Sequence, residues 1–163
     1  MENQIDECCP EFEVSKWDKK REVWENRLFI KETMPTLFHM PFPPTIGKKI
    51  TKMYGQVEKA GAHLPDKADT LILFRDPSAF RSEIYYSVSK KVADSQNAEL
   101  SGTFVSRVFD GKYNEVPKFI KEMDKYLKEN GESASDYYIH YAYCPLCAKK
   151  YGHNYVTLFA KTK

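Results

Sequence analysis

The stretch Ser101–Tyr143, SGTFVSRVFDGKYNEVPKFIKEMDKYLKENGESASDYYIHYAY, decides the fold. Thr103 to Phe109 is β-branched and aromatic, as a pleated surface prefers. Asp110-Gly111 is a turn dipeptide. Asn114 is placed to cap a helix, and Pro117 is tolerated in its first turn. Val116, Phe119, Ile120, Met123, Tyr126 and Leu127 then recur at helical spacing and form one apolar stripe. Gly131 ends that helix, and Asp136 to Tyr143 reads as a second aromatic strand. A loop around Cys144 to Gly152 and a last strand from Asn154 to Lys161 complete this half.

The earlier half follows the same plan. Met1 to Lys20 has no clear period and reads as an extended arm. Trp24 to Thr33 predicts a strand, interrupted by Met34-Pro35, after which Thr36 to Met40 continues it or bulges, since proline is confined to edges and bulges. Pro41 to Pro44 starts a helix whose face is Ile46, Ile50, Met53, Val57 and Ala60, stopped by Gly61. Thr70 to Arg75, closed by Asp76-Pro77, and Ser82 to Lys90 predict a hairpin. Ala93 to Ala98 is polar and links the halves. The expected fold is therefore α+β: an arm over 1–22, then two β-α-β-β units over about 23–92 and 99–163. Each unit hides its helix stripe on one sheet face. Paired, they predict a curved antiparallel sheet with two helices on one side and a ligand groove on the other.

Composition narrows the function. The chain has 163 residues, enough for one domain with a core, and a formal net charge of +2. Lysines and acids are interspersed, so no basic stripe points to nucleic acid. Leu71-Ile72-Leu73-Phe74 is the longest purely apolar run and is too short to span a bilayer. The polar start, Met1-Glu2-Asn3-Gln4, is unlike a secretory signal, which leads to the expectation of a cytoplasmic protein. Eleven tyrosines exceed what a core readily accommodates, because each buried hydroxyl needs a partner.

Strand parity selects the candidate site residues. In Ser82–Val88, alternation places Ile84, Tyr86 and Val88 on the core side, and Glu83, Tyr85 and Ser87 on the other. Glu83 is then a carboxylate among aromatic and polar groups. It can attract a cation or, if desolvated, rise in pKa and act as a general base. The plainer reading is a solvated glutamate on an open sheet face. In the fifth strand Tyr137, Ile139, Tyr141 and Tyr143 share a face and offer stacking surface, or simple cross-strand packing. His39 and His140 read as core or edge histidines, and His63 and His153 as surface residues.

Cys144-Pro145-Leu146-Cys147 has the C-x-x-C spacing that lets two thiolates grip one zinc ion. Cys8 and Cys9 are candidates for the other two ligands of a closed, structural site. A thiol-redox pair and ordinary reduced cysteines are the alternative readings. No phosphate-cradling glycine loop, serine nucleophile elbow or helical histidine pair is present, which speaks against a nucleotide enzyme or a serine hydrolase.

Ser101-Gly102-Thr103-Phe104, Val108-Phe109-Asp110-Gly111-Lys112-Tyr113 and Pro117 together resemble the signature of GyrI-like small-molecule-binding domains, whose SHS2-type repeat has the same order of elements. Cys8-Cys9-Pro10, Trp17-Asp18, Ser82-Glu83 and the segment Cys144–Gly152 resemble a bacterial subgroup of that family labelled "hydrolase". The resemblance implies an aromatic groove with an acidic residue that holds hydrophobic or cationic compounds. Some members hydrolyse cyclopropane-bearing genotoxins with a glutamate, a tryptophan and a tyrosine. Their fifth strand carries His-Glu-Ile-Tyr. Here the tyrosine matches Tyr141, the glutamate position holds Ile139, and Glu83 is the carboxylate offered instead. The DNA-binding helix-turn-helix of some relatives is not expected. The resulting expectation is a hydrophobic or cationic ligand held by Trp17, Glu83, Tyr85 and Tyr141, with Glu83 and Tyr141 catalytic if turnover occurs and detoxification the implied purpose. A non-enzymatic drug-sequestering or protein-interaction module, and a thiol or zinc sensor, are the alternatives.

Overall fold

A computed structural model describes residues 11–163 apart from 38, 39, 42, 79 and 144. The elements in chain order are α1 (Val14–Trp17), β1 (Lys20–Leu37), β2 (Met40–Pro41), α2 (Pro43–Ala60), β3 (Ile72–Ser78), β4 (Arg81–Ser87), β5 (Gln96–Asp110), α3 (Val116–Glu129), β6 (Ala134–Tyr141), α4 (Pro145–Tyr151) and β7 (Tyr155–Thr162). They form two compact units. The middle unit is Glu25–Ser101; the end unit joins Met1–Trp24 to Gly102–Lys163. The boundary thus runs through β1 and β5, beside Asn26 at φ 48° and Gly102 at φ 139°, rather than through the polar stretch 93–98. Ser101 Oγ accepts from Asn26 N at 2.8 Å and holds the bent backbone there.

In the middle unit β1, β4 and β3 are antiparallel neighbours. The expected helix is α2. Its Met53 and Val57 are fully buried and pack with Ile30, Met34, Ile84, Tyr86 and Val88, while Ile46 and Ala60 flank them. Each such buried side chain contributes about 1.5–3 kcal/mol. Lys49 and Lys52 of α2 both reach Glu32 of β1, at 3.3 and 2.7 Å, on this helix-covered side. Their charges outweigh the burial of Glu32, the first influence on it, and hold its carboxyl below the usual value. Gly61 stops the helix at φ 63°.

Two expectations change here. Met34-Pro35 does not interrupt β1, and the continuation expected after it holds to Leu37, because Pro35 faces Arg81 in register while Thr36 N donates to Phe80 O at 3.0 Å. β3 likewise runs past Asp76-Pro77, at the cost of a register shift between Arg75 and Ser78.

In the end unit β6, β7 and β5 are antiparallel neighbours. α3 lays Val116, Phe119, Met123 and Leu127 against Val105, Phe109, Val156, Leu158 and Ala160. Phe109 and Phe119 stack at 4.8 Å. A Cβ on Gly111 would stand 2.6 Å from Phe119 Cζ and 2.5 Å from Glu115 Oε2, so any larger residue there would have to displace the stacked Phe119 ring and the Glu115 carboxylate. A 3₁₀ turn at Tyr113–Glu115 takes the place of an Asn114 cap, with Lys112 N donating to Glu115 Oε2 at 2.8 Å. The segment expected as a loop after Cys144 is the helix α4, and the described part of the arm holds the single turn α1. No helix of the described residues is long and apolar enough to cross a membrane.

Candidate functional site

In the middle unit, register builds the sheet face opposite α2. Phe29 stands across from Ser87, Lys31 across from Tyr85, and Thr33 across from Glu83; on the other side Leu73 faces Tyr85 and Arg75 faces Glu83. Parity correctly separates Ile84, Tyr86 and Val88, which meet α2, from Glu83, Tyr85 and Ser87. Both sets are nonetheless buried, so the face is not an open, solvated one. Burial pushes the Tyr86 hydroxyl up to about 12. Ser87 Oγ closes its own polarity locally, accepting from Leu71 N at 2.9 Å and donating to Leu71 O at 3.0 Å.

Glu83 lies at the centre of the polar part, with its side chain 5% exposed. Its Oε2 meets Lys31 Nζ at 2.8 Å. Its Oε1 accepts from Arg75 Nη1 at 2.8 Å and from the Tyr85 hydroxyl at 3.0 Å. Lys31 Nζ is also 5.6 Å from the Tyr85 ring centre, and Phe29 meets that ring edge-on at 6.1 Å. Burial alone would raise the Glu83 pKa; the bonds from Lys31, Arg75 and Tyr85 outweigh it, and the carboxyl is held below its ordinary value. The expected direction for a general base is therefore reversed. Sequence parity finds Glu83 and Tyr85, but it does not find Lys31 and Arg75, whose role depends on cross-strand register.

The other expected residues belong to the end unit. Trp17 is buried, with its ring edge-on to Phe159 at 5.6 Å and its carbonyl accepting from Ser106 Oγ at 2.6 Å. It sits in a ring cluster in which Trp24 stacks on Phe104 at 4.1 Å and Phe104 meets Tyr138 at 6.0 Å. Tyr137, Ile139 and Tyr141 do share a face, but it is the face packed against the α3 core. Tyr141 is thus half-buried beneath the helix, and Tyr138 takes the helix-free side. Tyr137 donates to Asp124 of α3, and this carboxylate together with burial raises its pKa. His153 is a surface residue as expected, stacked on Tyr155 at 4.7 Å with Nδ1 2.8 Å from Asp110 Oδ2.

A cavity of about 330 Å³, open to solvent, is lined by Lys19, Arg107, Glu122, Lys125, Tyr126 and Glu129. Three of these, Glu122, Lys125 and Glu129, are exposed charges on α3, beside the half-buried Tyr126. Arg107 lies over Phe109 and Tyr126 at 5.0 and 4.8 Å. Nothing there groups a nucleophile with a base. Of the four cysteines considered for zinc, Cys8, Cys9 and Cys144 lie outside the described residues, as does His39; Cys147 is buried in α4. Among the described residues, no group of three or more His, Cys, Asp or Glu side chains is arranged to hold a metal ion.

The family model described as bacterial hydrolase matches residues 1–162. The chain belongs to that family. Solved structures show the same fold. The C-terminal domain of EcmrR is similar with a TM-score of 0.68 and 12% identity, over 90% of this chain and 98% of that one. A hydrolase from Listeria innocua gives 0.61 and 11%, over 99% and 98%. SAV2435 bound to tetraphenylphosphonium gives 0.54 and 13%, over 88% and 93%. These likenesses fit the GyrI-like resemblance, and at such identities they establish the fold alone. No curated protein matches the chain.

Proposed function

We propose that this member of the bacterial hydrolase family binds a small hydrophobic molecule through the helix-free sheet face of its middle unit, with Phe29 and Tyr85 as apolar contacts and Glu83 fixing the polar edge. The observation that carries the reading is the buried cluster itself. A carboxylate held by two cations and a tyrosine whose ring packs on Phe29 is the mixture of apolar wall and few fixed polar groups that small-molecule sites use. SAV2435, of the same fold, is bound to tetraphenylphosphonium, a compound whose surface is four phenyl rings, which supports the apolar part of this reading.

Binding is favoured over turnover. A carboxylate held ionised by three donors is a poor proton acceptor near neutral pH. Trp17 and Tyr141 are occupied in packing within the end unit, so their part in a reaction rests on the resemblance. Hydrolysis of a cyclopropane-type electrophile is kept as a second step of the proposal. Calorimetric titration with hydrophobic phosphorus compounds tests binding, and mass analysis after incubation with a reactive cyclopropane tests turnover. Tyr85→Leu should weaken binding by about tenfold, as loss of one aromatic contact of about 1.4 kcal/mol does. Unchanged affinity in that variant removes the site.

A further inference from the structure

The ammonium of Lys31 touches a carboxylate at 2.8 Å and lies 5.6 Å from the centre of a tyrosine ring. That is the arrangement by which an acidic, aromatic site holds an organic cation: a charge-assisted hydrogen bond on one side and a ring on the other. In this chain the cation is supplied from within. Lys31 and Tyr85 are direct cross-strand partners, and Glu83 is the diagonal neighbour two residues along β4. The lysine therefore spans from its own ring partner to the acid with no loop to move. Its side chain is 21% exposed, against 5% for Glu83, so the lysine is the more accessible member of the pair.

We propose that Lys31 is a specificity-determining residue, a resident cation in the position a ligand's positive charge would take, so that the site accepts uncharged hydrophobic molecules and disfavours cations. This deepens the proposed function and rests on it. An incoming cation must displace the Lys31 ammonium from a buried carboxylate and then stay close to it. Both steps oppose binding, the first by loss of a charge-assisted bond and the second by repulsion between like charges in a poorly hydrated place. An uncharged molecule meets neither obstacle. Arg75, on the other carboxylate oxygen, keeps Glu83 paired when Lys31 is replaced, so removal of the lysine frees one side of the acid without orphaning it.

The plain alternative is a structural ion pair that ties β1 to β4 and has no bearing on ligands. The two differ in a gain of function. Calorimetric titration of the parent and of Lys31→Met uses tetraphenylphosphonium as cation and triphenylphosphine oxide as uncharged counterpart. The parent should prefer the oxide. Lys31→Met should tighten phosphonium binding by about tenfold or more while the oxide stays within about threefold. Lys31→Arg, which keeps the charge, should keep the parent's preference. If Lys31→Met does not fold, Lys31→Gln replaces it with the same expected direction. A parent that binds phosphonium at least as well as the oxide, or a variant with an unchanged ratio, overturns the inference and leaves the proposed function standing. If neither probe binds the parent or any folded variant, the proposed function fails and takes this inference with it.

Discussion

Opposite its helix, the middle unit carries Lys31, Arg75 and Tyr85 around a buried carboxylate, whereas the end unit carries Trp17, Trp24, Phe104, Tyr138 and Phe159 packed ring to ring. The helix-covered faces are alike: a stripe of α2 or α3 on mostly aliphatic strand residues with one buried ring each, Tyr86 and Phe109. The difference on the other faces shows how two helix-backed antiparallel sheets can satisfy two kinds of burial. Rings bury mostly apolar area and need at most a hydrogen bond at the polar tip, as where Trp24 Nε1 donates to Glu22 Oε2 at 3.1 Å. A buried carboxylate needs hydrogen bonds and opposite charge, and register provides them from both neighbouring strands.

The comparison can be broken by mutation. Trp24→Ala removes the ring stacked on Phe104 and close to Phe159, and should lower stability by about 4 kcal/mol at any pH between 5 and 8, measured by urea unfolding. A loss of less than about 1 kcal/mol would mean the ring cluster is not a core. Glu83→Gln should cost about 2 kcal/mol at neutral pH, because two cations lose their counter-charge. That cost has a pH signature. The folded Glu83 pKa lies below the unfolded reference of 4.5, so its stabilisation is fully present above that value and is lost as pH falls through the folded pKa. The gap between parent and Glu83→Gln should therefore close in acid, while the gap for Trp24→Ala should not. A Glu83→Gln gap that stays constant down to about pH 3 would show that the ion pairs contribute nothing.

The smallest expected effect has the opposite sign. Thr157, in the end unit, is fully buried, and its Oγ1 has no hydrogen-bond partner among the described residues. Thr157→Val keeps the shape and removes the orphaned hydroxyl, and should raise stability by about 1 kcal/mol. A loss instead would reveal a partner for that hydroxyl and make this face less purely apolar than its rings suggest.

Much of the fold was legible in local pattern. The apolar stripes from Ile46 to Ala60 and from Val116 to Leu127, with Gly61 and Gly131 after them, are periodic signals that need no knowledge of tertiary contacts. Alternation also sorted β4 and β6 into their faces. It does not say which face a helix covers, and so it places Tyr141 on the open side, although Tyr141 packs against the cluster that α3 covers. Nor does it show that Lys31 and Arg75 meet Glu83, since Lys31 lies on a strand distant in sequence and Arg75, though on the predicted hairpin, reaches Glu83 only in one register. α4 was hidden because Pro145, Gly152 and the cysteine spacing all resemble loop chemistry, although proline is acceptable in a first helical turn.

Both tryptophans of the chain, Trp17 and Trp24, lie in the end unit, and the middle unit has only tyrosines as emitters. Intrinsic indole emission is therefore a one-sided reporter. Should the Glu83 region loosen first on heating or acidification, indole light would stay constant while far-ultraviolet dichroism already fell. Superimposable melts by the two probes would mean that the units come apart as one.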